Sequence, residues 1–171
     1  METMKTVNYH HYKHLLDLFV LRAQSAMGGN LISIILYGSV ARGEAKPTSD
    51  IDLLAILKNA SSIYWERLQP ILPLLRALRR EPSWLEMEAK GFCPSFSVIV
   101  LSKEEALENQ YLYLDMIEDA KILVDQEGFF QKRLDALKGR LQELGARKVK
   151  QHDMWYWDLK PNLTPGEVVT L

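Results

Sequence analysis

The residues from Leu31 to Leu57 read LISIILYGSVARGEAKPTSDIDLLAIL, and their reading decides what the rest of the chain must supply. Ile32 to Leu36 is rich in β-branched residues and stops at Gly38-Ser39, which predicts a buried strand feeding a turn. Val40 to Arg42 leaves room for one helical turn, ended by Gly43. Pro47-Thr48-Ser49 marks a loop, and Ile51 to Leu57 predicts a second strand bounded by Lys58-Asn59. The polar residues between these two apolar runs therefore sit at the mouth of a sheet.

Working outward toward the N-terminus, Tyr12, Leu15, Leu16, Phe19, Val20, Ala23, Ala26 and Met27 recur at three- and four-residue spacing. They predict a helix from about Tyr9 to Met27, stopped by Gly28-Gly29. Toward the C-terminus, Leu68, Ile71, Leu72, Leu75 and Leu78 form the inward stripe of a helix over 63–79, with Pro70 and Pro73 requiring a kink or a split. Pro82-Ser83 opens a short helix that ends at Gly91, and Phe96 to Leu101 is a third strand. Ser102 and Glu105 have capping-box spacing, so a helix should start there and run to about Glu118. Ile122 to Asp125 is a short strand or extended link. Phe130, Leu134, Leu137, Leu141 and Leu144 then make the stripe of a last helix with Gly145 at its C-cap. The segment from Arg147 to Leu171 reads as an irregular tail, its Trp155-Tyr156-Trp157 cluster packed across the body.

A chain of 171 residues with 47% hydrophobic and 25% charged composition fits one domain with a core of its own. We divide it into a core of about 8–125 and a C-terminal helix and tail, 126–171. A net charge of -1 argues against a general coat for nucleic acid. The single cysteine, Cys93, excludes an internal disulfide, and no Cys/His spacing resembles a zinc cage. No apolar run approaches the ~20 residues of a bilayer span. The expected location is the cytoplasm, with no membrane partner.

In an extended strand alternate side chains share a face, so Asp50 and Asp52 should project together while Ile51 and Leu53 point into the core. Two adjacent carboxylates suit Mg²⁺, which takes oxygen ligands and completes its shell with waters and substrate phosphates. Gly38 lets the backbone approach a phosphate, and Ser39 offers a hydroxyl and an amide at the start of a helical turn. Arg42 could contact the phosphates or tie the loop to a neighbouring carboxylate. Gly38 and Gly43 have the glycine spacing of a Walker A loop, but Glu44 and Ala45 follow where that loop needs Lys and Ser/Thr. The P-loop is excluded.

Gly38-Ser39, a ten-residue interval and then Asp50-Ile51-Asp52 resembles the signature of the polymerase-beta superfamily of nucleotidyltransferases. Gly38 to Gly43 resembles its minimal nucleotidyltransferase branch. The resemblance implies an α+β fold with a small mixed sheet backed by helices, and transfer of a nucleoside monophosphate from an NTP, AMP from ATP, to a protein or RNA hydroxyl. Carried over by position, Gly38, Ser39 and Arg42 would hold the triphosphate, and Asp50 and Asp52 would be the catalytic metal ligands. It also implies a HEPN-type helical partner in a toxin–antitoxin arrangement. The alternative reading is a nucleotide-binding, antitoxin-like partner subunit with weak catalysis or none.

That alternative arises because the family adds a third carboxylate on a later strand, whereas Phe96 to Leu101 carries Ser97 at the polar position. Glu86, Glu88, Glu104 and Glu105 are the nearby acids that could replace it.

Other features have simpler readings beside the functional ones. His10 and His14 stand one helical turn apart but lack a third ligand. Seven basic residues within 131–150 could hold RNA or form a solvated helix face. Eight acids within 104–127 could pair with them in the same fold or in a homo-oligomer. Trp155, Tyr156 and Trp157 could stack a base or pack the tail down. Cys93 reads as inert and partly buried.

Overall fold

The computed structural model describes residues 6–108, 110–152, 154–164 and 166–171. Asn8 opens helix α1 (Tyr9–Met27): its side chain accepts from His10 N at 3.0 Å, and its own amide donates to the His11 ring at 3.2 Å. This satisfies amide donors that the first helical turn leaves free. Tyr12, Leu15, Leu16, Phe19 and Ala23 form the buried stripe.

Strands β1 (Leu31–Tyr37), β2 (Ile51–Leu57), β3 (Phe96–Ser102) and β4 (Lys121–Asp125) make one sheet in the order β3-β2-β1-β4. β1 pairs antiparallel with both β2 and β4, while β2 pairs parallel with β3, so the sheet is mixed as expected. All seven residues of β1 are buried, as its central place demands.

A parallel pair needs a crossover, and α3 (Tyr64–Leu68), α4 (Leu72–Leu78) and α5 (Pro82–Ala89) carry the chain from β2 to β3. The helix over 63–79 is split as expected. Pro70 lies between α3 and α4, and Pro73 occupies the first turn of α4, where a missing amide leaves no bond unmade. These helices share a core with α1 and with Leu31, Ile34, Leu36, Ile51, Leu53 and Ala55 on one sheet face. The other face, with Ile35, Tyr37, Leu54 and Ile56, packs beneath α6 (Lys103–Leu107) and α7 (Phe129–Leu144).

Two expectations need correction. The helix begun by the Ser102–Glu105 capping box stops at Leu107; Glu108 is extended, and the chain resumes as a 3₁₀ turn, Tyr111–Asp115. Tyr113 explains the break. It is 1% exposed, stacks edge-on against Phe130 at 5.2 Å and donates its hydroxyl to the Ala106 carbonyl at 3.2 Å. A continuous helix would carry Tyr113 ~10 Å along the axis from Ala106. The second correction concerns the tail, which contains an antiparallel hairpin, β5 (Arg147–Gln151) and β6 (Met154–Asp158).

Ser33 and Asp125 tie the central strand to the last helix. The buried Ser33 hydroxyl donates to Asp125 at 2.7 Å, and the same carboxylate accepts from Phe130 N at 2.9 Å and Gln131 N at 3.0 Å. Asp125 thus caps α7 from the end of β4. Among the described residues, no helix is long and apolar enough to cross a membrane.

Arg67 links α3 to the capping box. Its side chain is 8% exposed, and the guanidinium grips both Glu105 oxygens while also reaching the Val100 carbonyl. Arg67 beside it holds the Glu105 carboxyl below the usual Glu range, helped by the Ser102 amide. A lowered acid contributes stability above its unfolded value, and that contribution fades as pH falls through the folded value. Glu105 is 40% exposed, so screening discounts the pair. Glu105→Gln should lower unfolding free energy by roughly 1–2 kcal/mol at pH 7. Urea titrations should show that deficit shrinking as pH drops below the ordinary Glu range.

Candidate functional site

The antiparallel pairing of β1 and β2 brings the end of one strand to the start of the other. Tyr37 stands opposite Asp52, and Asp52 stands opposite Ser97 on the parallel side. Helix α2 (Gly38–Arg42) begins on the residue after Tyr37. Gly38 has φ +74°, and a Cβ placed on it would lie 2.5 Å from Asp52 Oδ2. Only glycine both adopts that backbone and leaves room for the carboxylate. The turn is anchored beyond its end, where Glu44 N donates to the Ser39 carbonyl at 2.9 Å and Ala45 exchanges backbone bonds with Val7.

Asp52 is half-buried and Asp50, in the loop before β2, is exposed. Burial pushes the Asp52 carboxyl above its ordinary range; a hydrogen bond from Ser97 opposes this, the Asp50 charge adds to it and Arg42 offsets part of it. Tyr37 is pushed up to about 12 by burial and then by the charges of Asp52, Tyr64 and Asp115 around it. Of the two roles open to Arg42, the structure displays the tie to a carboxylate: its Nε donates to Glu44 at 3.1 Å. Glu44 is largely exposed, so such a pair contributes little stability and leaves the guanidinium free to exchange partners.

The four replacement acids lie away from this geometry. Glu104 and Glu105 follow Ser102, five residues along β3 from Ser97, or ~16 Å of strand. Glu105 is also held by Arg67. Glu86 and Glu88 belong to α5, whose Trp84 and Met87 pack on the opposite sheet face, and Glu88 accepts from Trp84 Nε1 at 2.9 Å. Sequence reading passed over Tyr37, whose place at the strand end was visible, and Asp115, which it assigned to a helix.

The lesser candidates separate. His10 and His14 are exposed, and no cluster of three His, Cys, Asp or Glu that could hold a metal occurs among the described residues. Cys93 is exposed, not partly buried. Lys148, from the basic stretch, pairs with Glu118, from the acidic one, at 2.7 Å within the same chain. Of the aromatic cluster, Trp157 packs against the core below the second sheet face, whereas Trp155 is exposed.

The Gly38 turn is thus pressed against a half-buried carboxylate, with a second carboxylate two residues before it. The nucleotidyltransferase domain model matches residues 20–152, and the chain belongs to that family. It is a nucleotidyltransferase. A Methanocaldococcus jannaschii protein provisionally named a protein adenylyltransferase is 26% identical over 143 residues, covering 83% of this chain and 91% of that one. Among solved structures, a toxin–antitoxin complex with AMP-PNP matches at 17% identity and TM-score 0.41, covering 74% of this chain and 90% of that chain. A tri-AMPylated Shewanella oneidensis HEPN toxin in complex with MNT antitoxin matches at 15% and 0.37, covering 80% and 91%. At those TM-scores the assignment rests on the family match.

Two variants test the Gly38–Asp52 contact. Gly38→Ala should destabilise the fold by about 1–3 kcal/mol through the left-handed backbone and the collision with Asp52. Asp52→Asn should act in the opposite sense. An acid raised by burial makes the native state bind its proton more tightly than the unfolded chain, so stability falls as pH rises from the ordinary Asp value through the raised one. Removing the charge removes that penalty. In metal-free buffer at pH 7 the Asp52→Asn protein should melt no lower than wild type, and any advantage should vanish in acid; a lower Tm at pH 7 contradicts the assignment.

Proposed function

We propose that the chain transfers AMP from ATP to a hydroxyl group of a protein or RNA acceptor. The observation that supports this most is the Gly38–Asp52 contact, which holds a turn suited to phosphate against a carboxylate suited to metal. Gly38 and Ser39 receive the triphosphate, with Arg42 able to leave Glu44 for a phosphate oxygen. The donor set fits Mg²⁺: the Asp50 charge opposes ionisation of Asp52, and a hard cation would relieve both that repulsion and the burial of Asp52. When bound, Mg²⁺ would neutralise phosphate charge and polarise the phosphorus. The acceptor oxygen forms a bond to the α-phosphorus, the bond to the β-phosphate oxygen breaks, pyrophosphate leaves, and the hydroxyl proton passes to solvent or a carboxylate.

The name of the Methanocaldococcus jannaschii relative favours protein over RNA as acceptor. A HEPN-type helical protein, expected from the family resemblance, is the first acceptor to test. A second reading, nucleotide binding with little or no transfer, is favoured by Ser97, which occupies the β3 position beside Asp52 where a third acid would stand.

Both readings predict that ATP with Mg²⁺ raises the Tm, by a margin set by ligand concentration over Kd, and that Asp50→Asn with Asp52→Asn abolishes the rise. Labelled ATP separates them. Transfer predicts label on a protein or RNA of a cell extract with wild type and none with the double variant; a Tm rise without label favours binding alone.

A further inference from the structure

The β5–β6 hairpin turns alternate side chains to opposite faces, which places Lys148, Lys150, Trp155 and Trp157 on one face of the ribbon. Trp157 packs against the core, so this face looks toward the body of the protein. Trp155 nevertheless stays 59% exposed. The ammonium groups of Lys148 and Lys150 lie 5.8 and 5.7 Å from its ring centroid, and Lys148 is itself held by Glu118. The exposed indole is thus presented from a paired strand with two cations beside it.

Trp155 and Lys148 line a cleft of about 450 Å³. Arg42 and Glu44, from α2 and the turn after it, also line this cleft, as do Asp115 and Asp119. Arg42 closes the helix that Gly38 and Ser39 open, only ~4.5 Å along its axis from Ser39. The cleft thus begins one helical turn from Ser39, and its volume lies within the range of small-molecule sites.

We propose that this cleft holds the nucleobase and ribose of the nucleoside triphosphate, the base lying on the free surface of Trp155; this rests on the reading of Gly38, Ser39, Asp50 and Asp52 as the triphosphate and metal site. The charge pattern orients the ligand. Asp115 and Asp119 repel phosphate and Lys148 is already engaged by Glu118, which leaves the phosphates to the Ser39–Arg42 end. Among the described residues neither is paired with a cation, so both can accept hydrogen bonds. The exocyclic amino groups of adenine, guanine and cytosine supply donors for those carboxylates, and uracil has no such group. Purines also cover more of the indole. The preferred nucleotide is accordingly an amino-bearing purine triphosphate.

Calorimetric titration of the full chain with Mg²⁺ and ATP, UTP or inorganic tripolyphosphate tests this, using wild type, Trp155→Ala and Trp155→Phe. Wild type should bind ATP roughly ten-fold more tightly than tripolyphosphate, as expected for one stacked base, with UTP falling between the two. Trp155→Ala should bring ATP down to the tripolyphosphate level without changing tripolyphosphate itself, and Trp155→Phe should keep most of the advantage. Equal ATP affinity in Trp155→Ala and wild type overturns the base assignment and leaves the triphosphate site standing. Failure of wild type to bind either ATP or tripolyphosphate overturns both.

Discussion

A methyl group on Gly38 would occupy space already filled by the Asp52 carboxylate. That close approach needs three things at once: β1 and β2 adjacent and antiparallel, a register that sets Tyr37 opposite Asp52, and a left-handed residue where β1 becomes α2. The surrounding structure supplies each of them. Both faces of β1 are buried, so apolar alternation alone does not set its register; its one polar residue before Tyr37, Ser33, marks it by bonding to Asp125. The Val7–Ala45 bridge and the Glu44–Ser39 bond hold the far side of α2, so the turn cannot drift away from the carboxylate. Remote elements such as the Ser33–Asp125 cap of α7 stabilise the same strand from its other neighbour.

The site stores electrostatic stress in the protein alone. Asp52 is half-buried, faces Asp50, and borders a tyrosine whose own proton is held to about 12. A fold selected only for stability would place a neutral residue there. Under the proposed function, positive charge arriving with a bound cation would relieve that stress. Ser97 fits this description: its hydrogen bond stabilises the Asp52 carboxylate without adding a third negative charge.

Much of this arrangement was legible in the sequence because it depends on short-range rules. The β-branched run before Gly38, the Asp-Ile-Asp alternation, Pro70 and Pro73, and the Ser102–Glu105 box each act within a few residues, and the model bears out the strands, the split and the cap they predict. The failures came from long-range contacts. Nothing local to Tyr113 announces that it will seat against Phe130 and end a helix at Leu107. The hairpin escapes local rules for another reason: Arg147 to Gln151 carries Val149 as its one apolar residue, so no apolar/polar alternation marks β5 as a strand. Reading the tail as irregular hid the cleft lined by Trp155 and Arg42, since only the folded hairpin brings the two residues to it. Asp50, Asp52, Gly38 and Ser39 could be nominated from spacing; the distance between Gly38 and Asp52, and the position of the four spare glutamates away from them, needed three dimensions.

In the function proposed above, Gly38, Ser39, Asp50 and Asp52 form one nucleotide and metal site. The most direct measurement is a crystal structure with a non-hydrolysable ATP analogue and Mg²⁺. The account predicts a cation about 2.1 Å from carboxylate oxygens of Asp50 and Asp52, with triphosphate oxygens completing its shell and contacting the Ser39 amide or hydroxyl. A triphosphate bound away from the Gly38 turn, or a cation that leaves both aspartates uncoordinated, would contradict it.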